Sequence, residues 1–284
     1  MVIKNVSILG AGVMGSGIAQ VVAQAGYNVT LMDIKQEFLD KSLASIGKSL
    51  DRMIKKGTIQ ESDKKTTISR IRTTTNMKDA KDAELVIEAV PEELSLKINI
   101  FKELDTICPE GVILASNTSA LPISALAAAT RRKDKVIGIH FMVPTPVIKG
   151  VEVIPGRHTS QEVVDICKSF VKSLGKEPCE ARDYGGFIVS RLVDALMNEA
   201  IRCVMDGNKP EEVDKAMRLC CNFPIGPLEL CDLSGADIVL HGLETMHKEF
   251  GDRLKPAPLL KSMVRSGDLG RKTGKGFYDY TQKA

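Results

Sequence analysis

The chain has 284 residues, of which 43 % are hydrophobic, and its formal net charge is only +3. This length fits one large domain or two ordinary ones, and the balanced charge argues against a general nucleic-acid binder, which is usually far more basic. The sequence has no apolar run of about 18 residues, so we expect no membrane span. It opens directly on a strand pattern rather than on a secretory signal.

The seven cysteines are an odd number and include no CxxC pair. Free thiols in a reducing cytosol are the simplest interpretation of this usage, so we expect a cytoplasmic protein. The histidines form no cluster with the spacing of zinc ligands, and we therefore expect no metal site.

The first predicted strand, Val2–Leu9, runs directly into a glycine-rich turn. The turn has the pattern G-x-G-x-x-G and consists of Gly10, Ala11, Gly12, Val13, Met14 and Gly15. In dinucleotide-binding proteins the first glycine allows the tight turn, the second lets the backbone approach a pyrophosphate, and the third lets the following helix pack closely on the strand. The N-terminal amides of that helix then point at the phosphates. A glycine-rich turn in another kind of α/β protein is the alternative.

The second predicted strand, Asn28–Met32, is followed by Asp33, about 20 residues beyond the turn. A carboxylate at this place accepts hydrogen bonds from the adenosine ribose hydroxyls and repels the additional phosphate of NADP. We therefore expect NAD as the cofactor. FAD shares the same fingerprint, and the motif alone does not separate the two cofactors.

Two predicted helices between residues 35 and 72 interrupt the alternation of strands and helices. This insertion carries ten lysine and arginine residues against five aspartate and glutamate residues. A solvated helical face is the usual explanation of such a charge run, and a clamp for a polyanionic substrate is the alternative. Ser49 and Lys56 are seven residues apart and would share one face of a helix, which suits the binding of phosphates.

Four more strand-length apolar runs follow, most of them separated by helical patterns: Leu85–Val90, Val112–Ala115, Val136–His140 and Val151–Ile154. This alternation predicts an α/β fold with a parallel sheet and helices on both of its faces. The polar stretch 116–119 follows one of these strands at the edge where ligands bind. Its hydroxyl and amide groups are suited to hold a nicotinamide and a substrate oxygen, or to cap the next helix.

His140 lies at the same predicted edge of the sheet, and Glu152 lies between valines in the next apolar run. Oxidation of an alcohol by NAD requires a base that takes the hydroxyl proton while hydride leaves, and histidine is suited to that task. A carboxylate behind the ring would orient it and favour the imidazolium that forms. A structural histidine at the end of a strand is the alternative.

Strand-like runs stop after about Gly186, and four helical patterns follow: Ile188–Met205, Pro210–Asn222, Leu228–Phe250 and Pro258–Ser266. The adjacent glycines at 185 and 186 loosen the chain at this point. We therefore predict a Rossmann-type dinucleotide-binding domain at 1–185, with a helical insertion at 35–72. A smaller all-helical domain for substrate binding and dimerisation is predicted at 186–284.

Eight sequence blocks occur in a familiar order: GAGVMGSGIAQ, VIEAVPEELSLK, ASNTSALPI, IGIHFMVPTPV, GVEVIPG, GGFIVSRL, PIGPLELCDLSG and LGRKTGKGFYDY. Through these blocks nearly the whole chain resembles the L-3-hydroxyacyl-CoA dehydrogenase family, and within it the bacterial 3-hydroxybutyryl-CoA dehydrogenases. The resemblance implies an NAD-dependent oxidoreductase of fatty acid metabolism that interconverts a short-chain 3-hydroxyacyl-CoA and the corresponding 3-ketoacyl-CoA. It also implies a homodimer in which the helical domain closes over the substrate.

The resemblance implies roles for individual residues. His140 is similar to the family's catalytic base, Glu152 to its orienting carboxylate, and Ser119 to the serine that touches both the nicotinamide and the reacting oxygen of the substrate. The residues that match NAD contacts of the family are Asp33, Glu92, Lys97 and Lys272. Ser49 and Lys56 match positions that bind coenzyme A, which favours the clamp over the solvated face.

Two positions depart from the family's usual pattern. Val143 replaces an asparagine near the nicotinamide, and Ser190 replaces an asparagine near the substrate and the catalytic base. Each change removes an amide, which has two donor hydrogens and an acceptor oxygen, and serine restores only part of that. The departures leave two alternatives open: a catalytically weak NAD-binding protein of the same fold, or a dehydrogenase of an unusual acyl-CoA or a free hydroxy acid.

Overall fold

The computed structural model describes residues 2–281, which form two compact units that divide between Asp183 and Tyr184. The boundary predicted from sequence, between residues 185 and 186, lies two residues further along the chain.

The first unit contains one eight-stranded sheet with the order β3-β2-β1-β4-β5-β6-β7-β8. Its strands are β1 Asn5–Leu9, β2 Asn28–Met32, β3 Ile71–Thr74, β4 Leu85–Glu88, β5 Ile113–Ser116, β6 Val136–Phe141, β7 Gly150–Pro155 and β8 Glu177–Glu180. Its α-helices are α1 Val13–Gln24, α2 Gln36–Lys55, α3 Glu61–Ser69, α4 Leu94–Ile107, α5 Ile123–Ala128 and α6 Gln161–Ser173. The order of the first six strands is that of the Rossmann fold, which confirms the predicted fold class.

The sheet is parallel from β3 to β6, but β7 runs antiparallel to β6. The predicted parallel sheet is therefore confirmed for most of its strands, and β7 is the exception. The connection 142–149 is too short for a crossover, which needs roughly a dozen residues, and so the chain turns back beside β6. Strands β3 and β8 were absent from the sequence prediction because they are short, polar and lie at the two edges of the sheet.

The two helices predicted for the insertion are confirmed as α2 and α3, and both pack on α1. Leu39, Ile46 and Leu50 are the apolar positions that bury one face of α2. They follow the helical period, so the charged residues of α2 are left on the outer face. The buried face joins the main core, which lies between these helices and the sheet.

The second unit consists of α7 Val189–Met205, α8 Pro210–Cys220, α9 Pro227–Ser234, α10 Ala236–Phe250 and α11 Pro258–Ser266, together with short 3-10 turns. The sequence predicted one helix over Leu228–Phe250, whereas the structure ends α9 at Ser234 and begins α10 at Ala236. Gly235 separates them with a φ of 101°, a conformation that is readily accessible to glycine and that ends a helix. No helix within residues 2–281 is long and apolar enough to cross a membrane.

Candidate active site

The glycine-rich turn joins β1 to α1. Gly10 has a φ of +99°, and a side chain there would meet the carbonyl of Ala89, the residue just after β4. A Cβ at Gly15 would collide with the carbonyl oxygen of Gly10, so the helix could not pack this closely on the turn. A Cβ at Gly12 would have open space around it, and no side chain caps the first amides of α1. These amides and this space fit a bound pyrophosphate.

Asp33 follows β2 and lies beside the same turn. Its Oδ2 accepts a hydrogen bond of 2.7 Å from the amide of Ala11, and its Oδ1 accepts one of 2.7 Å from the amide of Ile34. A cavity of about 830 Å³ opens here, lined by the glycine turn, Asp33, the start of α2 and the connection from β4 to α4. This cavity is large enough for a nucleoside, so the residues present fit the adenosine half of a dinucleotide.

His140 lies in β6, and Glu152 lies directly opposite it in β7 because the two strands pair in that register. His140 Nδ1 is 2.8 Å from Glu152 Oε2, and the two residues are only 4 % and 1 % exposed. Their hydrogen bond is therefore shielded from competition by water. A carboxylate at Nδ1 places the ring proton on that nitrogen and leaves Nε2 as the acceptor.

Ser119 completes a hydrogen-bonded chain at the carboxyl edge of the sheet. Its Oγ is 3.1 Å from His140 Nε2, and the residue is exposed. In the tautomer that Glu152 favours, the serine hydroxyl donates to the ring. The chain Ser119–His140–Glu152 is thus open at the serine end and buried at the carboxylate end, which suits a proton acceptor facing a ligand.

Glu92 and Lys97 hold the loop that carries Ser119. Glu92 Oε1 accepts hydrogen bonds from the hydroxyl of Thr118 and from the amides of Ser119 and Ala120, the last two at 2.8 and 3.1 Å. Burial opposes ionisation of this carboxyl group, but the Lys97 ammonium and the donated hydrogen bonds outweigh it and hold the pKa of Glu92 below its ordinary value. Glu92 is therefore a charged acceptor that fixes the Ser119 loop.

The Lys97 side chain is 1 % exposed, and its Nζ lies 2.6 Å from Glu88 Oε1 and 3.2 Å from Glu92 Oε2. Burial raises the pKa of Glu88 in spite of this neighbour and of a hydrogen bond from Ser116. The sequence analysis missed Glu88 because this residue lies within an apolar run that was interpreted only as a buried strand. Its acidic side chain inside an apolar run was the available signal, since a buried carboxylate requires a partner.

The stretch 116–119 does not cap α5. The first amides of α5, at Ile123 and Ser124, donate instead to the carboxylate of Asp183 at 2.7 and 2.8 Å. Asn117 uses its side-chain oxygen to accept a hydrogen bond from the amide of Phe141, at the end of β6. The stretch therefore serves the neighbouring strands and the histidine, and the capping alternative was wrong.

The remaining predicted residues lie in several places. Val143 is 60 % exposed in the connection from β6 to β7. Ser49 is half-buried near the end of α2, and Lys56 is exposed at its C-cap. In the second unit, Ser190 lies in the first turn of α7, and Lys272 Nζ is 2.6 Å from Asp237 Oδ2. The predicted roles of these residues stay predictions.

Within residues 2–281 no group of three or more potential ligands is arranged to hold a metal ion. A dinucleotide cleft and a hydrogen-bonded histidine at one edge of a Rossmann sheet define a dinucleotide-dependent oxidoreductase.

Comparison with known proteins identifies the family. The family model described as "3-hydroxyacyl-CoA dehydrogenase, NAD binding domain" matches residues 5–184. The model described as "3-hydroxyacyl-CoA dehydrogenase, C-terminal domain" matches residues 186–280. The chain belongs to the 3-hydroxyacyl-CoA dehydrogenase family and is an NAD-dependent oxidoreductase. The predicted cofactor and enzyme class are confirmed, and the FAD alternative is excluded.

Individual relatives are similar along their full length. A 3-hydroxybutyryl-CoA dehydrogenase of Clostridioides difficile is 44 % identical over 98 % of this chain and 100 % of its own. A probable 3-hydroxybutyryl-CoA dehydrogenase of Bacillus subtilis is 45 % identical over 100 % of this chain and 99 % of its own. The crystal structure of (S)-3-hydroxybutyryl-CoA dehydrogenase from Ralstonia eutropha matches with a TM-score of 0.94 at 44 % identity, covering 99 % of this chain and 100 % of the other.

Proposed function

We propose that the protein interconverts a short-chain 3-hydroxyacyl-CoA and the corresponding 3-ketoacyl-CoA, such as 3-hydroxybutyryl-CoA and acetoacetyl-CoA, with His140 as the general base. The observation that carries this proposal is the hydrogen-bonded chain Ser119–His140–Glu152 beside a dinucleotide cleft. The names of the relatives favour a four-carbon acyl group.

When bound, NAD⁺ supplies the acceptor for the hydride that leaves C3 of the hydroxyacyl group. His140 Nε2 takes the hydroxyl proton as the carbonyl double bond forms, and Glu152 stabilises the resulting imidazolium. Ser119 holds the reacting oxygen by a hydrogen bond. In the reverse direction the imidazolium returns its proton to that oxygen, so the same three side chains serve ketone reduction.

The cofactor would be held mainly by residues of the first unit. The turn 10–15 would bind the pyrophosphate through its amides, Asp33 would bind the ribose, and Glu92, Lys97 and Val143 would lie on the nicotinamide side. Lys272 is a further candidate contact of the cofactor, as the family resemblance suggests. Ser190 is proposed to lie near the substrate, in the role suggested by the family resemblance.

The insertion would bind coenzyme A. Ser49 and Lys56 are separated by two helical turns at the end of α2, and the spacing of a hydroxyl and an ammonium suits an extended polyanion. Burial of Leu39, Ile46 and Leu50 in the core would keep both groups on a rigid support.

We also propose a cytoplasmic homodimer that acts in fatty acid metabolism. The described part of the second unit exposes several large apolar side chains: Leu192, Leu219, Phe223, Leu233 and Ile238. Apolar surface of this kind favours contact with another protein surface. The seven cysteines are free thiols, which agrees with a reducing compartment.

The test is a steady-state assay of NADH oxidation with acetoacetyl-CoA and, separately, with free acetoacetate. Turnover of the thioester alone supports the proposal, whereas preference for the free acid overturns it. His140→Gln should lower turnover by about 10²–10⁴-fold and leave NADH affinity nearly unchanged. His247→Gln is the matched control, because His247 is a half-exposed histidine of α10 in a contact with Asp252. Wild-type inactivity on every acyl-CoA would favour the weak NAD-binding alternative.

A further inference from the structure

Lys176 is a buried cation whose partners are backbone carbonyl groups. The residue is 6 % exposed, and its Nζ donates hydrogen bonds of 2.6 Å to the carbonyl oxygen of Thr145 and of 2.6 Å to that of Ile148. No carboxylate among residues 2–281 forms an ion pair with it. Burial lowers the pKa of Lys176, as expected for an ammonium group without a counter-ion.

Both carbonyl groups belong to the connection 142–149, which we call the 142–149 loop. This loop leaves β6 just after His140, carries Val143, and enters β7 just before Glu152. Lys176 itself lies immediately before β8, which pairs with β7. One side chain therefore ties the loop to the edge of the sheet beyond the catalytic strands.

The other side of the loop is held by α1. Thr145 is 4 % exposed, and a Cβ added to Gly17 of α1 would lie only 2.7 Å from Thr145 Oγ1. The 142–149 loop is thus confined on two sides. On one side it packs against α1 at Gly17, which has no side chain, and on the other side Lys176 forms hydrogen bonds with two carbonyl groups of the loop. Such a loop has little freedom to shift without leaving buried carbonyl groups unpaired, which is costly.

We propose that Lys176 is a positioning residue for hydride transfer, because it fixes the 142–149 loop and through it the place of Val143 beside the nicotinamide. This inference rests on the proposed function. The pairing of β6 with β7 already sets His140 opposite Glu152, so the specific task of Lys176 is the loop. Hydride transfer is sensitive to geometry, and a misplacement of about 1 Å costs on the order of 100-fold in rate.

The variant to test is Lys176→Met, which keeps the length of the side chain and removes the donor. Arg132→Met is the matched control. Arg132 is also 6 % exposed and donates to the buried carbonyls of Asp105 and Cys108, and it forms an ion pair with the Asp105 carboxylate as well. It lies four residues before β6 begins, away from the His140 end of that strand. Both variants should lower the melting temperature.

The deciding readouts are turnover of acetoacetyl-CoA, the primary deuterium isotope effect with NADH labelled at the transferred hydrogen, and the fluorescence of bound NADH. For Lys176→Met we expect turnover to fall by about tenfold or more, the isotope effect to rise, and the emission of bound NADH to change. We expect NADH affinity to change by less than about twofold. Arg132→Met should keep the wild-type isotope effect and emission.

Wild-type values of the isotope effect and the NADH emission in Lys176→Met would overturn the proposal, as would equal changes in Arg132→Met. If Lys176→Met does not fold, Gly17→Ala takes its place, since it pushes the loop from the other side and should give the same signature. If the wild-type protein turns over no acyl-CoA, the proposed function fails. The NADH emission of the variants then decides the role of Lys176 on its own.

Discussion

Replacing Glu152 by glutamine would remove the negative charge behind His140 while keeping an acceptor oxygen of the same shape. The wild-type carboxylate lies 2.8 Å from Nδ1 and is almost wholly buried, so the lost charge is not replaced by water. A hydrogen bond to a charged group contributes roughly 1.5–3 kcal/mol. If that difference appears when the imidazolium forms, turnover should fall by about 10- to 150-fold.

The assay is oxidation of 3-hydroxybutyryl-CoA with NAD⁺, together with a fluorescence titration of NADH. We expect the loss in turnover and an almost unchanged NADH affinity. Glu84→Gln is the control, because Glu84 accepts hydrogen bonds from the amides of Lys4 and Asn5 at the amino end of the same sheet. Turnover within about threefold of wild type in Glu152→Gln, or an equal loss in Glu84→Gln, would refute the reasoning.

Four further predictions concern single positions. NADPH should bind at least about tenfold more weakly than NADH, because the negative charge of Asp33 repels the additional phosphate. In a fluorescence titration, Asp33→Ala should reduce this difference in affinity between the two cofactors. Lys56→Ala should raise the Michaelis constant for acetoacetyl-CoA, with a loss of roughly 1.5–3 kcal/mol in binding free energy, and should leave NADH affinity unchanged. An unchanged Michaelis constant would favour the alternative that the charged residues of the insertion form a solvated face. Burial raises the pKa of Asp194 to about 7. The folded protein therefore holds this proton more tightly than the unfolded chain, and the stability that the protonated Asp194 carboxyl contributes is lost as pH rises from about 4 to 7. The gain in melting temperature from Asp194→Asn should accordingly widen between pH 5 and pH 8, and a constant difference would contradict this. At the proposed substrate position, serine leaves more room than asparagine and lacks its amide group. Ser190→Asn should therefore raise turnover of acetoacetyl-CoA by about tenfold and lower turnover of a bulkier acyl-CoA, and a loss on both substrates would contradict this expectation.

The core of the Rossmann sheet was predictable because its buried strands are continuous apolar runs. β1, β4 and β5 are buried on both faces, so the sequence pattern alone marks them. The edge strands β3 and β8 carry polar residues, and nothing in their composition separates them from loops. The direction of β7 was predictable only from the connection before it. That connection is too short for a parallel crossover, and this constraint takes precedence over the general alternation of strands and helices, which predicts parallel strands.

The candidate site was predictable where a residue's place along a strand decides its role. His140 lies at the ligand edge because β6 is parallel to β5, and this follows from the pattern. The support of Ser119 was not predictable in that way. Glu88, Glu92 and Lys97 come together only when β4, its following loop and α4 are packed, and a sequence pattern gives no measure of such a contact.

The pairing of β7 with β6 has a chemical consequence at the proposed site. Groups that follow parallel strands, such as Asp33 and Ser119, emerge at the carboxyl edge of the sheet, where ligands bind in folds of this kind. Glu152 instead lies within an antiparallel strand, opposite His140 and shielded by its neighbours. The histidine therefore presents one nitrogen to the carboxyl edge of the sheet and the other to a buried carboxylate, and the pairing of β6 with β7 supplies the asymmetry that the proposed general base requires.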